Sequence, residues 1–149
     1  MKIRKAVIAV AGFGTRFLPA TKVLPKELIP IVDRPIVQYL VEEAVQSGIQ
    51  DIIFLIRPGS QGIADHFDST RELEIHLEAQ NKPDLLKRVQ ELPRMANFAV
   101  VRQGRHLPYG NGTPLLAASH FIGSDEPFVF MFGDDLVLSD EAPGCKQLI

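Results

Sequence analysis

The sequence is poor in cysteine, in unbalanced charge and in long hydrophobic runs, and each shortage removes a class of function. Its one cysteine, Cys145, leaves no partner for an intramolecular disulfide and too few thiolates for a cysteine-based zinc site. Nothing therefore asks for an oxidising compartment, and a cytoplasmic protein is the expectation. Lys and Arg number 16 against 18 Asp and Glu, a net charge of −2 over 149 residues. A general nucleic-acid or anionic-membrane binder would show a basic excess, so any phosphate binding must be local. No stretch reaches the roughly 18 apolar residues of a membrane span. The N-terminal MKIRKAVIAVAGFG has a basic start, but its apolar run from Ala6 to Ala11 is too short for a signal-peptide core and meets glycines at once. No internal repeat or low-complexity linker is visible. His106 and His120 have no carboxylate or second histidine at metal-ligand spacing.

What is present is a globular composition, 46% hydrophobic and 23% charged, at the size of one domain. Strand-length apolar runs recur at Ala6 to Val10, Ile52 to Ile56, Phe98 to Val101 and Phe128 to Phe132. They are near-continuous and rich in Val, Ile and Phe, as in strands covered on both faces. Between them, Ile36, Val37, Leu40, Val41, Ala44 and Val45 repeat with helical period from Pro35 to Ser47. Asp33 or Arg34 precedes that helix, and Gly48 stands where a left-handed cap belongs. Ser69 to Leu92 reads as two helical pieces broken at Pro83. Thr113 and Pro114 read as the N-cap and first residue of a short helix towards His120. SDEAPGCKQLI reads as the opening of a further helix. This alternation predicts an α/β fold with a doubly wound, mainly parallel sheet flanked by helices, whose ligands bind beyond the carboxyl ends of the strands.

Directly after the first strand comes AGFGTR, in which Gly12 and Gly14 allow a sharp turn that presents backbone N–H groups to an anion or a base edge. The dinucleotide fingerprint is excluded, because its third glycine would fall at Phe17, and so is a P-loop, since no G-K-[ST] follows. A nicotinamide-binding module is further disfavoured by Arg57-Pro58 at the end of the second strand, where it would need an acid. Arg16, Lys22 and Lys26 follow in a segment stiffened by Pro19, Pro25 and Pro30. At the end of the fourth strand, Asp134 and Asp135 stand where a carboxylate could hold Mg²⁺ beside phosphates, although a loop-turn role suits the same residues.

The run AGFGTRFLPATKVLPKELIPIVDRPIVQYLVEEAVQSGI, continued by IADHFD at Ile63 to Asp68, VRQG at Val101 to Gly104 and FGDD at Phe132 to Asp135, resembles the bacterial UTP:glucose-1-phosphate uridylyltransferases. These are the UDP-glucose pyrophosphorylases of the sugar-phosphate nucleotidyltransferase superfamily. The likeness covers nearly the whole chain in order. It implies a Rossmann-like nucleotidyltransferase fold, of which residues 1–149 would form the nucleotide-binding N-terminal part, with the rest of the catalytic domain beyond Ile149. It implies that Ala11 and Gly12 meet the uracil, that Gly14 and Thr15 belong to the same nucleotide loop, and that Arg16 and Lys26 face the triphosphate. Glu27 would line the nucleotide pocket or position Lys26. Gln103 would read the uracil edge, for which an amide, both donor and acceptor, is suited. Gly110 and Gly112 would form a second glycine turn near the nucleoside, and Asp134 would hold Mg²⁺, with Asp135 in a supporting or capping role.

The resemblance further implies UTP and glucose 1-phosphate as substrates, no nucleic acid or membrane partner, and a homo-oligomer at full length. Sugar-binding residues and a second metal aspartate would lie past Ile149, so the isolated chain is expected to bind UTP weakly, if at all, and not to turn over. The sequence departs from the family at Thr113-Pro114, where a His-Ala is common, which leaves the contacts on that side open. Two alternatives stay beside the main reading: a thymidylyltransferase using dTTP, against which the Lys26-Glu27 pair counts because those relatives typically read KQ, and a non-catalytic, nucleotide-binding regulatory paralogue.

Overall fold

A computed structural model describes residues 2–104, 106–108 and 110–149. In chain order the elements are β1 (Lys5–Val10), the two-residue strands β2 (Pro30–Ile31) and β3 (Arg34–Pro35), α1 (Ile36–Gln46) and β4 (Asp51–Ile56). They continue with α2 (Gln61–His66), α3 (Arg71–Ala79), α4 (Pro83–Glu91), β5 (Asn97–Arg102), α5 (Thr113–Ala118), β6 (Phe128–Phe132) and α6 (Gly144–Gln147). All four apolar runs are strands, and they pair in parallel in the order β5-β4-β1-β6.

The chain thus builds outward from β1 through β4 to β5, then returns to the opposite side of β1 with β6. Reversing direction places α5, which follows the reversal, on the face opposite α1 and α2, and the core divides accordingly. On one face Ala6, Ile8, Val10, Ile52, Phe54 and Ile56 pack with Val37, Leu40, Val41 and Ala44 of α1 and Ile63 of α2. On the other, Val7, Ile53 and Leu55 pack with Ala118 of α5. In β1 and β4 alternate residues serve different helices, which is why these strands read as unbroken apolar runs; β5, at the sheet edge, is apolar but largely exposed, so the expectation of cover on both faces fails there.

α1 buries Val37, Leu40, Val41 and Ala44, the i, i+3, i+4, i+7 stripe of an amphipathic helix. It ends as expected at Gly48, at φ 96°, where Gly48 N donates to Val45 O and Ile49 N to Ala44 O. Those two bonds and the left-handed glycine make a Schellman cap. Its beginning also lies at the expected place, with Pro35 as the N-cap; Asp33 and Arg34, which precede it, belong to the β2–β3 hairpin. Pro83 does separate two helices, standing in the first turn of α4. At α5 the N-cap is Gly112 rather than Thr113, which is the first helical residue; its hydroxyl donates to the Pro108 carbonyl and pins the preceding loop. The C-terminal segment does form a helix, α6, held to α1 by a 2.6 Å bond from Cys145 N to the Glu43 carboxylate.

Because β1 is flanked on one side by the earlier strand β4 and on the other by the later strand β6, the carboxyl ends of β1 and β6 enclose a topological switch point. In open α/β sheets that crevice is where ligands bind.

Candidate nucleotide site

Three segments leave the sheet at the switch point. After β1, Ala11 to Gly14 turn outward into a 3-10 turn, Thr15–Phe17. Gly14 sits at φ 63°, and a Cβ there would lie 3.0 Å from Thr21 Cγ2 and 3.2 Å from Lys26 Cβ. The buried Thr21 hydroxyl donates to Gly14 O at 2.7 Å. Gly14 is therefore fixed by the protein's own geometry. Gly12 is not: a Cβ there would meet only the flexible end of Lys26, at 3.4 Å. Folding leaves room for a side chain at Gly12, so its glycine matters for what approaches from outside. Among the described residues, the N–H groups of Gly12, Phe13, Gly14 and Thr15 have no protein acceptor. Four backbone donors on one tight loop are a concavity for an anion.

The loop then folds back through a second 3-10 turn, Lys26–Leu28, which sets Lys26 and Glu27 on opposite sides of the backbone. Lys26 Nζ reaches Asp134 Oδ2 at 2.5 Å, joining the tip of the first loop to the tip of β6. Glu27 points inward, 1% exposed, and neither carboxylate oxygen has a hydrogen-bond partner among the described residues. Burial pushes its carboxyl above the ordinary range, Lys26 pulls it back and Asp134 pushes it further up. The space for Glu27 is made by Gly133, where a Cβ would collide with Val10, come within 2.9 Å of Ala9 O and lie 3.0 Å from Glu27 Cγ. Gly133 N also donates to Ala9 O at 2.9 Å, extending the β1–β6 pairing to the edge of the site.

Beside this cluster, a cleft of about 510 Å³ opens between the tips of β1, β4 and β5, lined by Ala11, Phe13, Arg57, Gln103, Leu107 and Pro108 among others. Gln103 holds its place through its backbone, Gln103 N donating to Ile56 O at 2.9 Å, which leaves the side-chain amide available. The cleft has the amide, the apolar walls and the size for a planar ring. A larger cavity of about 790 Å³ lies among α1, α2, α3 and α4. Its polar rim is largely self-paired, Arg34 with Glu42, Arg88 with Asp33 and His66 with Gln38, and no glycine loop reaches it.

Of the residues singled out in the sequence, Ala11, Gly12, Gly14, Lys26, Glu27 and Asp134 come together at the switch point, with Gln103 across the adjoining cleft. Thr15 and Arg16 stand on the exposed 3-10 turn beside them. Gly110 and Gly112 are exposed, a Cβ at either would meet nothing, and they are not among the residues lining the cleft; Leu107 and Pro108 of the same segment line it instead. Arg105 and Tyr109 of that segment lie outside the described residues. Asp135 is exposed in the turn after β6. Sequence reasoning missed Arg57, Phe13 and Gly133. Arg57 had a signal available, a cation directly at a strand's carboxyl end, but its contacts reach 45 residues back along the chain.

A magnesium ion would find one carboxylate of this chain here. No group of three His, Cys, Asp or Glu side chains able to hold a metal occurs among the described residues. A single strand-tip aspartate next to an anion-binding loop suits an ion that takes one or two carboxylates and completes its shell with substrate phosphates and water.

The family model for nucleotidyl transferases matches residues 5–148. The chain is 50% identical over 148 residues to the Bacillus subtilis UTP–glucose-1-phosphate uridylyltransferase YngB, a match that covers 99% of this chain and 48% of that protein. It is likewise 50% identical to UTP–glucose-1-phosphate uridylyltransferase 2 of Staphylococcus saprophyticus, over 99% of this chain and 50% of that one. Among solved structures, a UTP-bound UGPase from Acinetobacter baumannii superposes with a TM-score of 0.88 at 40% identity, over 94% of this chain and 48% of that one. The chain spans about half the length of the curated relatives it matches.

Proposed function

The chain belongs to the nucleotidyl transferase family, and from that premise we propose that it carries the nucleotide half of a magnesium-dependent site joining UTP and glucose 1-phosphate into UDP-glucose and pyrophosphate. The observation that carries this reading is the 2.5 Å contact between Lys26 and Asp134. It brings a triphosphate cation and a metal-type carboxylate to one point, beside four backbone donors without an acceptor among the described residues. The choice of UTP and glucose 1-phosphate is supported by the names of the 50% identical relatives.

In this reaction a phosphate oxygen of glucose 1-phosphate attacks the α-phosphorus of UTP, the bond from that phosphorus to the bridging oxygen breaks, and pyrophosphate leaves. The attacking group is already an anion, so no protein nucleophile or general base is needed. The work is to bring two polyanions together in line and to compensate charge as it shifts to the leaving group. The N–H groups of the Gly12 to Thr15 loop receive phosphate oxygens. Lys26 and Arg16 supply the cations, Lys26 from a half-buried position where its charge counts for more than in bulk water. Asp134 is the residue of this chain that would hold magnesium, which when bound neutralises phosphate charge and orients the triphosphate. Gln103, with both donor and acceptor, selects an imide edge, and Ala11, Leu107 and Pro108 sandwich the ring. Glu27, buried next to Lys26 and not among the residues lining the cleft, fits the role of positioning Lys26 better than that of a direct nucleotide contact.

Nuclear magnetic resonance titration of the chain with nucleotide and Mg²⁺ tests this reading, because it detects weak binding. UTP is expected to shift signals at Gly12, Gly14 and Gln103 at lower concentration than CTP or ATP. Equal responses to all three would remove the base assignment. A matched dTTP titration separates the uridylyl from the thymidylyl alternative. No UDP-glucose is expected from these 149 residues and glucose 1-phosphate, because they span about half the length of the relatives they match and the reading gives them the nucleotide side of the site; its formation would overturn that division.

A further inference from the structure

Arg57 directly follows β4, at a position that the β1–β4 register, Val10 opposite Ile56, places beside Ala11. It touches the glycine loop twice. Its Nε donates to Gly12 O at 3.2 Å, and its guanidinium carbon lies 5.4 Å from the centre of the Phe13 ring. It also lines the cleft shared by Ala11 and Gln103. These contacts fall on the two residues that flank one peptide bond. A trans peptide is planar, with the C=O of one residue and the N–H of the next pointing in opposite directions. Anchoring the Gly12 carbonyl towards Arg57 therefore turns the Phe13 N–H away from Arg57. Glycine at position 12 is otherwise the residue least able to hold one peptide orientation by itself.

Building on the nucleotide-loop reading above, we propose that Arg57 is a positioning residue for substrate binding. It clamps the Gly12–Phe13 peptide so that the Phe13 N–H, which has no acceptor among the described residues, is presented to a phosphate oxygen. The clamp needs geometry as well as charge. A guanidinium offers a rigid planar fork that hydrogen-bonds through Nε while its face lies against an aromatic ring, whereas an ammonium offers a point charge on a flexible stem. A residue serving only to raise the local positive potential would be replaceable by lysine. Arg57 would not be.

The test is a comparison of Arg57→Ala and Arg57→Lys with the unaltered chain, using backbone ¹⁵N order parameters of the loop without ligand and titration with Mg²⁺ and UTP. Both variants are expected to lower the order parameters of Gly12, Phe13 and Gly14, and to weaken UTP binding on the order of tenfold, as for loss of one charge-assisted hydrogen bond. Normal binding and an ordered loop in Arg57→Lys would overturn the proposal in favour of a charge effect, and an unchanged loop in Arg57→Ala would overturn it altogether. If the unaltered chain shows no response to UTP, the nucleotide reading fails, while the ligand-free order parameters still decide whether Arg57 braces the loop.

Discussion

Lys26 Nζ and Asp134 Oδ2 stand 2.5 Å apart although 108 residues separate them in the chain, so the cation from the loop after β1 and the carboxylate after β6 neutralise each other across the switch point. Both are partly open to solvent, at 20% and 36% side-chain exposure. An ion pair at that exposure contributes about 0–1 kcal/mol to stability. Under the proposed function its significance is positional: it would keep the phosphate cation and the metal carboxylate in one place until ligands separate them. Lys26→Ala is accordingly expected to leave the unfolding midpoint within a few degrees of the parent. In the complete enzyme it should lower turnover by about 10²–10³, the scale for removing one charge-stabilising group. Thermal melts and initial rates measured side by side check this, and unchanged turnover would remove Lys26 from the phosphate site.

Three glycines close to the site should respond differently to alanine. Gly133→Ala forces a methyl group against Val10 and the Ala9 carbonyl above buried Glu27, an overpacking expected to cost about 1–3 kcal/mol. Gly14→Ala strains a residue at φ 63°, at roughly 1–2 kcal/mol. Gly12→Ala meets only the movable end of Lys26 and should stay within about 0.5 kcal/mol of the parent. It should nonetheless lose UTP binding, because the methyl group occupies the approach to the loop. Urea unfolding of the three variants and one UTP titration of Gly12→Ala separate the two roles of glycine; a destabilised Gly12→Ala would contradict them.

Gln103 is fixed through its backbone N–H, so changing its side chain should not disturb the sheet. Gln103→Leu is expected to keep the fold, by unchanged circular dichroism and melting, and to abolish the preference for UTP over CTP. A variant that still prefers UTP would move base selection elsewhere in the cleft.

His66, the last residue of α2, is half-buried against α1, its Nε2 3.0 Å from Gln38 Oε1, and burial lowers its tendency to take a proton. The unfolded chain binds that proton at about pH 6.5 and the folded chain only at lower pH. Protonation therefore favours the unfolded state, and this contribution to stability, complete above pH 6.5, declines as pH falls from 6.5 through the lower folded value. The stability difference between His66→Gln and the parent should shift in the variant's favour between pH 7 and pH 5. A difference that stays constant with pH would place the imidazole in a solvated position.

The fold was legible wherever a signal was local. The four strands declared themselves as unbroken apolar runs, α1 by its 3.6-residue stripe, its end by Gly48 and the α3–α4 break by Pro83. What remained hidden was set by long-range pairing or by rule-breaking turns. Strand order cannot be read from strands alone, and it is that order which turns the segments after β1 and β6 into one site. The β2–β3 hairpin escaped notice because its turn puts Val32, a β-branched residue, at φ 62°, where such residues are seldom found. α2, six residues long and containing Gly62, is too short to show a period. Thr113 looked like a cap because Thr before Pro usually is one, but its hydroxyl is engaged by the Pro108 carbonyl. At the candidate site, Lys26, Glu27, Gln103 and Asp134 could be singled out by resemblance and residue chemistry, and the fold brings Lys26, Glu27 and Asp134 to one point with Gln103 across the cleft. Arg57 and Gly133 were not, since their roles consist of contacts with Gly12, Phe13, Ala9, Val10 and Glu27.

The most direct test of the account is a ¹⁵N–¹H titration of the chain with UTP in the presence of Mg²⁺, mapped residue by residue. The predicted result is a set of shifts centred on Ala11 through Arg16, Lys26, Arg57, Gln103, Leu107 and Asp134. Shifts absent from these positions, or clustered instead around the α1–α4 cavity at Arg34, His66 and Arg88, would contradict it.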